Sequence, residues 1–125
     1  MTTPPTLNAA PQTPITPLQV TYATLALAGL IGTWGFNLEY LRTPGADALG
    51  FVAGGFANPA ASSLTVDLVT AATAFLFWSN VEARRLRLRS WWWVPVVTLA
   101  IAFAVAFPLF LLQRDRALQG ASAQR

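Results

Sequence analysis

Between Trp91 and Leu112 the only hydrogen-bonding side chains are three indoles and the Thr98 hydroxyl. A run of that length has no place on the surface of a water-soluble domain and reads as the clearest bilayer-spanning helix of the chain. Composition points the same way. Of 125 residues 54% are hydrophobic and 10% charged, with a mean hydropathy of +0.49, where soluble domains carry about 25% charged residues. The expected fold class is an all-α membrane protein with three transmembrane helices, the second and third forming a tight antiparallel hairpin.

The other two spans follow from their start and stop signals. Thr16 and Pro17 form an N-cap and first-residue pair ahead of a helix over 18–41, stopped by Thr43, Pro44 and Gly45. Trp34 and Tyr40 then fall near one interface. Asn58 and Pro59 open a second helix over 59–81 in the same way. The third runs over 91–112, with Pro95 in its first turns and Pro108 kinking or loosening its end. Residues 1–17 hold five Pro, five Thr and no charge, so they read as a disordered or polyproline-like tail. No basic residue precedes Arg42, so the first apolar segment is expected to be a retained anchor, not a cleaved signal. Residues 113–125 read as a polar tail that frays. Gly50, Gly54 and Gly55 break the stretch between the first two spans. Two readings stay open there: a short interfacial helix capped by Asp47, laying Leu49, Phe51 and Val52 on the membrane, or a plain loop.

Orientation rests on arginine, because the chain has no lysine. The three-span topology sets Arg84, Arg85, Arg87 and Arg89 on one side against Arg42, Arg114, Arg116 and Arg125 on the other, a tie. The denser first cluster favours an amino terminus in the cytoplasm, with the protein multi-pass in a bacterial inner membrane.

The residue inventory excludes much chemistry. With no Cys, no His and no Lys, zinc sites, thiol nucleophiles and histidine acid–base work are absent; no catalytic residue, metal ligand or cofactor is expected. The basic residues sit in short flanks and form no broad face, so nucleic acid is not an expected partner. Asp67 is the most informative polar residue, about 12 Å into its helix. Ser63, Asp67 and Thr70 share one helical face, which belongs against protein. Functionally, Asp67 is a proton, cation or headgroup contact; structurally, it is an acid favoured by the helix start. Thr24, Ala28 and Gly32 recur every fourth residue on the first helix, and this small-residue face packs either within the protomer, against the Ser63–Asp67–Thr70 face, or on a second copy.

Glu39 with Arg42 and Glu82 with Arg85 read as exposed i, i+3 pairs. Were Glu39 and Asp67 to face one cavity, they could do acid–base work. Arg84, Arg85, Arg87 and Arg89, with Trp91, Trp92 and Trp93, form an expected lipid-headgroup contact.

The block from Gly55 to Leu68, together with Phe77, Trp78, the Val81–Leu86 segment, the Trp run and Ala106 to Leu111, resembles a family of small bacterial membrane proteins, domain of unknown function 2834. The resemblance runs from the first helix to Arg116 and implies a small polytopic membrane protein with no assigned reaction. Three functions are carried forward. The first is a non-enzymatic structural or accessory subunit of a membrane assembly, its partners being lipids and a protein or second copy met through the small-residue faces. The second is a small oligomeric transporter or channel using Asp67. The third, ranked last, is a lipid- or isoprenoid-modifying enzyme using Glu39 and Asp67.

Overall fold

The computed structural model describes residues 13–124, and the tail expected over residues 1–17 lies mostly outside them. Among the described residues the fold is all-helical: α1 (Pro17–Leu41), α2 (Ala48–Gly54), α3 (Pro59–Arg85), α4 (Trp93–Ala100) and α5 (Phe103–Ala123).

The starts of the first three helices are set by local chemistry. Thr16 accepts the Gln19 amide through its side chain, Asp47 the Gly50 amide at 2.6 Å, and Asn58 the Ala61 amide at 2.9 Å. Each cap satisfies one of the amides a helix start leaves free, an effect of about 1 kcal/mol. The stretch after α1 is thus a short helix, with Leu49, Phe51 and Val52 exposed. Tyr40 holds it in place: its hydroxyl donates to the Asp47 carbonyl at 2.9 Å and its ring meets Phe51 edge-on at 5.2 Å. At the far end, the Thr65 hydroxyl donates to the Gly55 carbonyl at 2.7 Å.

Helix α3 runs four residues beyond the expected Val81 and is the one described helix long and apolar enough to cross a membrane. It ends in a Schellman turn, in which the Leu88 amide donates to the Ala83 carbonyl at 2.8 Å and the Arg87 amide to Arg84 at 3.1 Å. Arg87 takes the left-handed position, φ 55°, that glycine usually fills.

The largest departure from expectation is in the run over 91–112. It is not one helix: the chain breaks at Ile101 and at Ala102, which is extended at φ −177°, and then reverses. The Trp93 indole donates to the Gln113 side chain at 3.2 Å, and Gln113 in turn donates to Ser90 at 2.7 Å. Both ends of the run therefore lie at one level. Pro108, expected to kink or loosen the end of that run, lies within a helix. It sits inside α5, which continues through the segment expected to fray, as far as Ala123.

Contacts along α5 order the bundle. As α3 advances from Phe75 to Trp78 and Glu82, its partners on α5 advance from Phe107 to Phe110 and Arg114, so these two helices run parallel. The expected antiparallel partner of α3 is only the short α4. Helix α1 is antiparallel to α5. Near its start Gln19 donates to Asp115 at 2.8 Å and Gln119 at 3.1 Å, while Gly29 lies against Ala104. The core is small: Phe75, Ala83, Val94, Ala106 and Phe110, flanked by Trp91, Trp93 and Phe103. Phe75 touches three α5 rings at 5.0–5.8 Å, and such edge-on pairs each add about 0.5–1.5 kcal/mol to burial.

Candidate functional site

Because α4 and α5 turn back, the lower half of the bundle lacks a third helix. The missing helix leaves a chamber of about 730 Å³ between the carboxyl half of α1, the middle of α3, helix α2 and the Ile101–Ala102 reversal. Its walls are mostly apolar, with Leu68, Val69 and Ala72 from α3 and Leu99 to Phe103 from the reversal. Helix α1 contributes the polar atoms. Thr33, Trp34, Asn37 and Tyr40 fall on its inward face, at i, i+1, i+4 and i+7 along one helix side. The Trp34 indole nitrogen itself is buried out of reach of that space, without a hydrogen-bond partner. A donor left in that state costs about 1–3 kcal/mol.

The reversal adds backbone groups to the chamber wall. Where they meet, α4 closes on the Ile101 amide donating to the Val97 carbonyl at 3.0 Å, and α5 starts at Ala102 with no side-chain cap. The first bonded amides of α5 are those of Val105 and Ala106, both donating to the Ala102 carbonyl at 3.1 Å.

At the opposite end lies a polar belt. Glu82 is buried, 7% exposed, and its carboxylate accepts from Arg85 at 2.8 and 2.6 Å and from Arg114 at 2.6 Å. The i, i+3 spacing gave Glu82–Arg85 as an exposed pair; the third member, Arg114, comes from another helix and makes it a buried tie between α3 and α5. Beside it the Trp91 indole donates to the fully buried Ser79 hydroxyl at 3.0 Å.

Several expected site residues fall elsewhere. Ser63, Asp67 and Thr70 are exposed, as are Thr24, Ala28 and Gly32. The two small-residue faces do not meet within the protomer, because α1 packs on α5 through Ala26 and Gly29. Glu39 and Asp67 are both exposed and neither lines the chamber, so they form no carboxylate pair. Glu39 and Arg42 are exposed as expected but form no ion pair. Arg84, Arg85, Arg87 and Arg89 are exposed. Of the three tryptophans only Trp92 is outward, 69% exposed, while Trp91 and Trp93 are held inward by their N–H bonds. Trp34, set near an interface by the sequence reading, also lines the chamber, on the polar stripe it shares with Asn37 and Tyr40.

Fold and surface together define a small, all-helical, strongly apolar protein with a helix able to cross a bilayer. The chain belongs to the family described as Protein of unknown function DUF2834, whose profile matches residues 21–116. That is the family the Gly55–Leu68 block resembles. No curated protein and no solved structure matches the chain.

Proposed function

We propose that the protein is a membrane-embedded, non-enzymatic subunit of an assembly. In this reading α1 and α3 cross the bilayer in opposite senses, and α4 with α5 dips in and returns. That arrangement breaks the arginine tie among the described residues: Arg84, Arg85, Arg87, Arg89, Arg114 and Arg116 gather on one face, and Arg42 lies on the other. The positive-inside tendency then favours a cytoplasmic amino end of α1, with the bacterial inner membrane as the compartment. Four exposed arginines there suit anionic headgroups at about 1 kcal/mol each.

The observation that carries the subunit role is Asp67. It is exposed on α3, forms no ion pair among the described residues, and shares its face with exposed Ser63 and Thr70. A carboxylate about 12 Å into a membrane helix is costly against lipid, so a polar partner, a second copy or another chain, covers that face. Exposed Thr24, Ala28 and Gly32 offer the close-packing surface on α1. The enzyme reading needs Asp67 beside Glu39, and the two do not share a cavity in the protomer. Native mass spectrometry of the protein released in its own lipid tests the role. A stoichiometric second chain or homo-oligomer is expected, reduced by Asp67→Asn. A monomer unaffected by that change would overturn it.

A further inference from the structure

We infer that the chamber under the α4–α5 reversal binds an alkylammonium amphiphile, an organic cation on an apolar body, with its head at Asp47 and its tail running down to the reversal. Charge selects the class. Among the described residues that line the chamber, Asp47 is the one that carries charge. Thr33 and Asn37 each offer a donor and an acceptor, so they do not choose between head groups, and the buried Trp34 N–H does not reach the space. Of the other charged residues towards that end of the bundle, Glu39 and Asp67 are acidic and Arg42 is basic, and none of the three lines the chamber. An anionic head would meet a carboxylate and no lining cation, whereas a cationic head finds its complement.

The geometry at the mouth suits such a head. Asp47 Oδ1 accepts the Gly50 amide at 2.6 Å, while its second oxygen has no partner among the described residues. Tyr40 and Phe51, which both line the chamber, meet edge-on at 5.2 Å, and the Tyr40 hydroxyl donates to the Asp47 carbonyl at 2.9 Å. A Cβ on Gly50 would lie 2.7 Å from that hydroxyl and 3.1 Å from Oδ1, so phenol and carboxylate converge on one glycine. Aromatic rings beside a carboxylate hold alkylammonium heads through ring electrons and charge together. Below the mouth, α1 descends about 16 Å from Tyr40 to Gly29, where it lies against Ala104 of the reversal. Leu68, Val69 and Leu99 line the space for the tail. The volume of about 730 Å³ lies within the range of small-molecule sites, about 300–1,000 Å³.

This site rests on the membrane reading above, and one experiment separates the two. The full-length protein in phosphatidylglycerol nanodiscs is photolabelled with an alkyltrimethylammonium bearing a diazirine in its tail, or with the neutral isostere in which carbon replaces the nitrogen. Labelled peptides are located by mass spectrometry. Both probes are expected on the outward face of α3, at exposed Leu64 and Phe77. Their absence there would overturn the membrane reading and this site with it. The ammonium is expected to add saturable labelling over 33–41 and 98–104, displaced by unlabelled ammonium and weaker with the isostere. Asp47→Asn keeps a helix cap and removes the charge, so the half-displacing concentration of the ammonium rises about fivefold while that of the isostere does not change. Ala72→Phe fills the chamber and abolishes the saturable fraction. Phosphatidylethanolamine added to the discs distinguishes the sources: competition assigns the site to an amine-headed bilayer lipid, and its absence to a free amphiphile. Equal saturable labelling by ammonium and isostere, or ammonium labelling unchanged in Asp47→Asn, would overturn the site.

Discussion

Trp93 donates its indole N–H to the Gln113 side chain at 3.2 Å, although twenty residues separate them in an apolar run. A continuous helix would hold them about 30 Å apart. The bond therefore marks a reversal and turns an expected span into a hairpin open to one side.

The reversal makes a topological prediction that a cysteine-free chain tests cleanly. Ser90→Cys and Ser122→Cys are expected to react with a membrane-impermeant maleimide from the same side, and Ala57→Cys from the other. All three positions are exposed. A continuous third span would instead put Ser90 and Ser122 on opposite sides. Gln113→Leu should weaken the hairpin by about 1 kcal/mol through two lost side-chain bonds, read as a lower unfolding midpoint in detergent.

Glu82 is expected to matter more to stability than its neighbours in the arginine run. Glu82→Ala leaves the Arg114 guanidinium without its acceptor at the α3–α5 contact, and a loss of roughly 1–3 kcal/mol is expected. Arg114→Ala should follow closely, since Arg114 carries the interhelix bond. Arg85→Ala should do little, because that side chain is 59% exposed and reaches Glu82 from the same helix. Equal effects of the two arginine changes in denaturant titrations would contradict the assignment of Arg114 as the tie.

The capped starts of α1, α2 and α3 were legible because their signals are local: Thr16–Pro17, Asp47 and Asn58–Pro59 each act within three residues. The Ile101–Ala102 break was not, since neither Gly nor Pro stands there. It is held from outside, by Phe75 against Phe103 and Phe107 and by Gln113 against Ser90 and Trp93. Glu82 was misjudged for the same reason. Sequence spacing finds Arg85, whereas Arg114 arrives through tertiary packing.

Arg87 occupies a left-handed position in the α3 Schellman turn at φ 55°, which costs a side-chain-bearing residue about 1–2 kcal/mol. Arg87→Gly is expected to raise stability by about 1 kcal/mol while leaving Leu88 packed in the core. The gain is read from unfolding midpoints, with Arg89→Gly as the control that should give none.

Two glycines on α1 separate folding from assembly. A Cβ on Gly29 would lie 2.6 Å from the Ala104 carbonyl oxygen, while one on Gly32 would meet nothing within 4 Å. The Ala104 carbonyl is also the one that Pro108, four residues on, deprives of its helical amide partner. Gly29 thus approaches backbone of α5, not the far end of a flexible side chain. Gly29→Ala is expected to force α1 off α5 and cost about 1–3 kcal/mol, outweighing the roughly 1 kcal/mol that alanine adds to a helix. Gly32→Ala should keep that gain in the isolated protomer. If the Thr24–Ala28–Gly32 face meets a partner, Gly32→Leu will leave the fold intact yet reduce the complex in native mass spectra. A Gly32→Leu protein with unchanged assembly would remove α1 from the interface and leave the Asp67 face of α3 to carry it.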